Sequence, residues 1–94
     1  MKIEQKKIDE WKAKHGDLYQ ISVEGKSCLL RRPTRKDISY ASVVRDPMQL
    51  SETMLNQLWL DGDREILEQD DLFLAVVAKM EEVMKIKEAE IKKI

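Results

Sequence analysis

The pattern of apolar and polar positions starts, at the beginning of the chain, with a charged stretch whose residues favour a helix. Residues 2–15 are rich in Lys, Glu, Gln and Ala, all good helix formers. Within this stretch, Ile8 and Trp11 form a thin apolar stripe, and Gly16 provides a helix stop. The pattern predicts an amphipathic helix over 2–15 that contacts the rest of the protein through Ile8 and Trp11.

The next segment changes to the period of a half-buried strand. Apolar and polar side chains alternate over residues 18–23, and the glycine within 24–26 suits a tight turn. A second strand is predicted over 27–32, and Pro33 ends it because proline cannot donate to a strand ladder. We therefore predict a hairpin within 17–33. Two strands alone are marginally stable, so we expect it to pack on helices or pair with a third strand, and an exposed edge would invite a partner strand.

A capping signal opens the second half of the chain. Thr34 and Asp37 have the spacing of a capping box, in which the two side chains satisfy backbone N–H groups at a helix start. This spacing predicts a helix over 35–44 that buries Ile38 and Ala41.

Two longer helices are predicted after it. Asp46 and Pro47 suit the N-cap and first position of a helix over 48–60. Its main core-facing residues are expected to be Met54, Leu55, Leu58 and Trp59. A last helix, from about Asp71 towards the C-terminus, carries an apolar stripe that thins after Met84.

The predicted fold is thus a single α+β domain over 1–94. It consists of an N-terminal helix, a two-stranded β-hairpin, and a mainly helical C-terminal region over 34–94 that ends in a long helix. Ninety-four residues suffice for one domain with a modest core.

Composition narrows the function classes. Seventeen basic and eighteen acidic residues give a formal net charge of -1, which disfavours nucleic-acid binding. With 37% charged residues, no stretch approaches the roughly 20 apolar residues of a membrane span. A single cysteine and the absence of a signal-peptide pattern at the start predict a cytoplasmic protein.

The candidate chemical groups do not combine into an active site. His15 is the only histidine and stands at a predicted helix end, where a partly charged ring suits the helix dipole. Cys28 is expected to be a small buried hydrophobe, although nearby cations leave a reactive thiol open. Residues 61–65 resemble a calcium loop, but Ile66 and Leu72 stand where glycine and glutamate are required, so a solvated helix–helix connection is predicted. No enzyme activity, cofactor or metal is expected.

A basic cluster surrounds Pro33 and leaves one alternative open. Arg31, Arg32, Arg35 and Lys36 could bind an anion or nucleic acid. No aromatic residue interleaves with them, so base stacking has no platform. A charged rim is the favoured interpretation, and a small nucleic-acid-binding regulator is the alternative.

The element order and three segments resemble a known family. A hairpin ending in LLRRPTRKDISYA precedes DPMQLSETMLNQLWLDGD and a closing KEAEIKKI. The chain resembles the small tail assembly chaperones of long-tailed bacteriophages and prophages, in which a hairpin often ends in an arginine-proline segment with Thr and Asp opening a helical bundle. The matching residues are Arg32, Pro33, Thr34 and Asp37.

This resemblance implies a non-enzymatic function. Such chaperones hold the tape measure protein soluble and recruit tail tube subunits, and many exist in a short form, which this chain resembles, and a longer frameshifted form. Partner-binding residues would then be apolar helix positions left uncovered. The candidates are Trp11, Met48, Ile86, Ile91 and Ile94. Self-association is left open.

Overall fold

The helices and strands follow the predicted order, with one strand added. The computed structural model describes residues 3–83 and 89–94. Its elements are α1 (Gln5–His15), β1 (Leu18–Val23), β2 (Lys26–Arg31), α2 (Arg35–Ala41), α3 (Pro47–Leu58), β3 (Trp59–Gly62), α4 (Glu65–Glu68) and α5 (Asp70–Val83). The α+β class, the N-terminal helix, the hairpin and the helical second half are confirmed.

The hairpin turn is closed by two residues with left-handed backbone conformations. Glu24 has φ 47° and Gly25 has φ 79°. Positive φ at both central positions is the type I′ geometry that matches the twist of two antiparallel strands. Val23 and Lys26 are therefore directly opposite each other, and the register continues without interruption to Leu18 and Arg31.

A third strand replaces the predicted end of α3. We expected the helix to continue through Trp59 and a solvated connection to follow it, and both predictions are wrong. The helix ends at Leu58, and Trp59–Gly62 pairs antiparallel with β2, giving the sheet order β1-β2-β3.

The contacts of Asp63 hold the end of β3 against β2. Its backbone N–H donates to the Ser27 carbonyl at 2.9 Å, and its carboxylate accepts from the Ser27 N–H at 2.8 Å. In an isolated hairpin, these Ser27 backbone groups would be left to water. Here Asp63 satisfies them.

The helices cover the sheet with a single apolar core. Cys28 and Leu30 of β2 are fully buried, and Val76 and Met80 of α5 belong to the same buried cluster. The core residues shared by the sheet and the helices are Ile21, Cys28, Leu30, Ala41, Met54, Leu55, Leu58, Ile66, Leu72, Val76, Val77 and Met80. Burial of these side chains is the main term that stabilises the fold.

Helix α2 is shorter than predicted and presents a different face to the core. It ends at Ala41 rather than near residue 44. Ala41 is buried as expected, but Ile38 is 48% exposed, and Asp37 lies in the interior instead. Asp37 and Ala41 share a helix face because they are four residues apart, so the inward turn of Asp37 directs Ile38 outwards.

Local signals place the end of α1 and the starts of α3 and α5 close to their predicted positions, whereas α1 begins at Gln5 rather than at residue 2. Gly16 ends α1 with φ 82°, and Asp46 caps α3 by accepting the Met48 N–H at 3.0 Å. Helix α5 begins at Asp70, and residues 89–94 have no regular secondary structure, in contrast to the predicted continuation towards the C-terminus. Among the described helices, none has the length and apolarity needed to cross a bilayer.

Candidate functional site

The basic cluster is divided by an ion pair that joins three elements. Arg31, at the end of β2, donates from Nη1 to Asp37 Oδ2 at 2.6 Å and from Nη2 to Asp37 Oδ1 at 2.8 Å. It also donates to the Gln57 carbonyl of α3 at 3.0 Å and to the Arg32 carbonyl at 3.1 Å. This two-pronged arrangement fixes β2, α2 and α3 relative to one another.

Asp37 serves this ion pair and the helix cap with the same carboxylate. Its Oδ2 accepts the Thr34 N–H at 2.7 Å and the Thr34 hydroxyl at 2.9 Å, and the Thr34 hydroxyl in turn accepts the Asp37 N–H. The predicted capping box is confirmed. Hydrogen bonds from Arg31, and then from Thr34, hold the pKa of Asp37 well below its usual range although burial acts in the opposite direction.

The remaining cations of the cluster lie on the surface. The Arg32 guanidinium lies 4.0 Å from the Asp17 carboxylate, and both side chains are largely exposed. Arg35 and Lys36 are also exposed. The pKa of Arg31 is raised by its hydrogen bond to Asp37, so its charge is engaged within the fold. Three of the four predicted cations are therefore left to face solvent.

Burial affects the two other candidate chemical groups, Cys28 and His15. Cys28 is fully buried, as predicted, and burial raises the pKa of its thiol to about 11, which suppresses the reactive thiolate. The pKa of His15 is lowered, first by desolvation and then by Arg31 and Lys14, so the charge expected to suit the helix dipole is disfavoured. Within residues 3–83 and 89–94, no three His, Cys, Asp or Glu side chains are placed to hold a metal ion.

The predicted partner-binding residues that the structure describes differ in exposure. Trp11 is half-buried on α1, whereas Met48 is 48% exposed at the start of α3. Ile91 and Ile94 are fully exposed beyond α5. Ile86 lies outside the described residues. The structure thus leaves Met48, Ile91 and Ile94 accessible at separate places along the chain.

Met48 belongs to a segment with several exposed apolar side chains. Ile38, Tyr40 and Val43 are 48%, 62% and 76% exposed, and all lie with Met48 within residues 38–48. We call these four side chains, which are grouped by their closeness in sequence, the 38–48 surface. The sequence pattern does not predict this surface, because it places Ile38 in the core. The capping box alone does not predict this exposure, because it follows from the burial of Asp37 against Arg31.

A groove runs between the first strand and the last helix. It has a volume of about 560 Å³ and is lined by residues 18–22 of β1 with Lys79 and Glu82 of α5. Lys79 and Glu82 lie 3.7 Å apart and are largely exposed. Among the described residues, its lining includes none from β2, the neighbour of β1 in the sheet.

Comparison with known proteins yields no match: no family model, curated protein or solved structure is similar to this chain.

Proposed function

We propose that this chain is a non-enzymatic protein-binding module, namely a tail assembly chaperone that binds the tape measure protein during phage or prophage tail assembly in the bacterial cytoplasm. The resemblance of the arginine-proline segment and the element order supplies the family. The observation that supports binding is the 38–48 surface, where four large apolar side chains are exposed within eleven residues.

The physical argument concerns the cost of leaving this surface in water. Exposed apolar side chains are ordinary when scattered, but a local concentration of them is typical of protein interaction sites. Tyr40 and Met48 are side-chain types enriched at interfaces. A long, helix-rich partner such as a tape measure protein would present apolar stripes that this surface can cover, and covering them keeps the partner soluble.

Charge and burial are compatible with this function. The formal net charge of -1 gives no strong attraction to nucleic acid, and Cys28 and Arg31 are engaged inside the fold. The exposed polar residues around the 38–48 surface, such as Arg35 and Lys36, would form a polar rim. Recruitment of tail tube subunits would use a second surface, to which we assign Ile91 and Ile94, two of the predicted partner-binding residues.

Co-expression with the tape measure protein tests the proposal. We expect the wild-type chain to raise the soluble fraction of that protein and to co-purify with it. Replacing Tyr40, Val43 and Met48 together by serine should reduce the co-purified amount at least tenfold, because about 1.4 kcal/mol is a factor of ten in Kd and the loss of one hot-spot side chain costs about 2 kcal/mol or more.

The matched control replaces apolar side chains with similar exposure elsewhere. Leu67 and Leu74 are 41% and 48% exposed on α4 and α5, and their replacement by serine should leave co-purification unchanged. If the wild-type chain neither solubilises nor co-purifies with the tape measure protein, the chaperone function is wrong. If both sets of variants reduce binding equally, the 38–48 surface is not the specific site.

A further inference from the structure

The two edges of the sheet are protected very differently. The β3 edge is four residues long and carries Asp61 and Gly62. Its register with β2 has an irregularity between Leu29 and Leu30. Short length, bulges and charge are the devices by which natural sheets discourage further strand pairing. The β1 edge, Leu18–Val23, is six residues long and contains no charge, proline or glycine. It has none of these protections.

The register determines which backbone groups this edge offers. Because a two-residue turn follows Val23, Val23 and Lys26 form a hydrogen-bonded pair, and such pairs alternate along the hairpin. The N–H and C=O groups of Leu18, Gln20 and Ser22 therefore point away from β2. In the part of the chain that the structure describes, β1 pairs with β2 alone.

From this edge we infer that β1 pairs with β1 of a second copy of the chain, antiparallel and about a two-fold axis at Gln20. Gln20 then lies opposite Gln20 of the second copy, and Leu18 lies opposite Ser22. All three outward-pointing residues fall in hydrogen-bonded pairs, which gives about six new hydrogen bonds. The two three-stranded sheets become one continuous sheet, and both unprotected edges are removed.

Side chains on the core-facing side of the sheet also fit this register. Tyr19 and Ile21 point to the same face as the buried Cys28 and Leu30. The two-fold axis places Tyr19 of one copy opposite Ile21 of the other, in a closely spaced pair without backbone hydrogen bonds. Aromatic and β-branched residues stabilise a sheet when they are opposite each other.

The charges beside the groove favour a second copy over a different strand. Lys79 and Glu82 have opposite signs and line the same groove. A two-fold axis perpendicular to the sheet brings the two α5 helices to the same face, so the Lys79 of each copy can approach the Glu82 of the other. The net charge of -1 adds little repulsion between copies. This inference does not depend on the proposed function, since it uses none of the 38–48 surface.

The test uses the proposed pairing of Gln20 with Gln20 of the second copy. Sedimentation equilibrium of the full chain should give a mass of twice 11.0 kDa that dissociates on dilution. Gln20→Lys and Gln20→Glu should each weaken the dimer, because like charges are then directly opposite. An equimolar mixture of the two variants should associate about tenfold more tightly than either alone at low salt, with the difference shrinking as salt rises. Gln20 is exposed, and circular dichroism would verify that each variant is folded.

Asn56→Lys and Asn56→Glu are the matched controls. Asn56 is exposed on α3, so these variants change the charge equally but should dimerise like the wild type. A wild-type chain that stays monomeric, a Gln20→Lys variant that associates as tightly as the wild type, or a mixture no tighter than its components would each overturn the inference. A monomeric wild type whose binding to another protein is abolished by Gln20→Lys would assign this edge to a foreign strand instead.

Discussion

Replacing Asp37 by asparagine should destabilise the fold by about 3 kcal/mol. The carboxylate accepts four hydrogen bonds from side-chain and backbone donors of Arg31 and Thr34. Asparagine has one acceptor oxygen in place of two. If that oxygen keeps the contacts with Thr34, its NH₂ group faces a guanidinium nitrogen, and two donors oppose each other.

The magnitude follows from the burial of the ion pair. The Arg31 and Asp37 side chains are only 17% and 8% exposed, so solvent screening is limited. Removing one partner of a buried pair costs about 3–5 kcal/mol because the other charge is left uncompensated. Arg31 keeps the carbonyls of Gln57 and Arg32, which places the expected loss near the lower end. For a domain of this size, a loss of about 3 kcal/mol lowers Tm by about 12–24 °C.

The same pair makes a specific prediction about acid. The pKa of Asp37 is lower in the folded chain than in the unfolded chain, so its stabilisation is complete above the unfolded value of about 3.9 and is lost as pH falls below it. The difference in free energy of unfolding between wild type and Asp37→Asn should therefore be constant from neutral pH to about pH 4 and shrink below it.

Urea unfolding followed by circular dichroism measures both effects, and Asp17→Asn is the matched control. Asp17 also lies near an arginine, Arg32, but at 4.0 Å and with 79% of its side chain exposed, so its replacement should change stability by less than about 0.5 kcal/mol. Equal midpoints for the Asp37 and Asp17 variants at neutral pH would refute the reasoning. So would a difference between wild type and Asp37→Asn that persists unchanged at pH 3.

Two further predictions concern the contact between β2 and β3. The Cys28 thiolate population should be about a hundredfold below that of an ordinary thiol, because burial raises the pKa of the thiol to about 11. A thiol reagent should therefore label Cys28 readily in urea but not in buffer. Equal labelling rates in urea and in buffer would contradict the burial of Cys28. Gly62→Ala should cost about 2–3 kcal/mol, since a Cβ atom there would lie 2.7 Å from Cys28 Cα and Cβ and 2.8 Å from the Ser27 carbonyl oxygen. Gly16→Ala is the control, because Gly16 also has a positive φ but a Cβ atom there would have no atom within 4 Å. It should lower the free energy of unfolding, measured in urea, by about 1 kcal/mol. Equal losses for the Gly62 and Gly16 variants would rule out the steric cause of the Gly62 effect.

Elements set by neighbouring residues could be predicted from the sequence. The Thr34–Asp37 capping box, the Asp46–Pro47 helix start and the stop at Gly16 each depend on residues within about one helical turn. The hairpin turn is equally local, because Gly25 tolerates the positive φ it requires. These signals act before any tertiary contact forms, which is why the sequence and the structure agree on them.

Strand β3 depends on a part of the chain far from it. Trp59 continues the helical spacing of Leu55 and Leu58, so periodicity alone extends α3 through it. The open side of β2, about thirty residues earlier, offers backbone groups that only a strand can pair. Tertiary pairing overrides the local pattern here, and no window of adjacent residues contains the information.

The 38–48 surface could not be predicted from the sequence for a related reason, because the Asp37 carboxylate has two partners. The capping box predicted the contact of Asp37 with Thr34, but the contact with Arg31 arises only when β2 and α2 pack together. That second contact draws Asp37 into the interior and turns Ile38 outwards. In a helix of seven residues, one buried charged residue determines which face meets the core. The exposure of Ile38 on the 38–48 surface is thus a direct consequence of the ion pair that also removes Arg31 from the basic cluster.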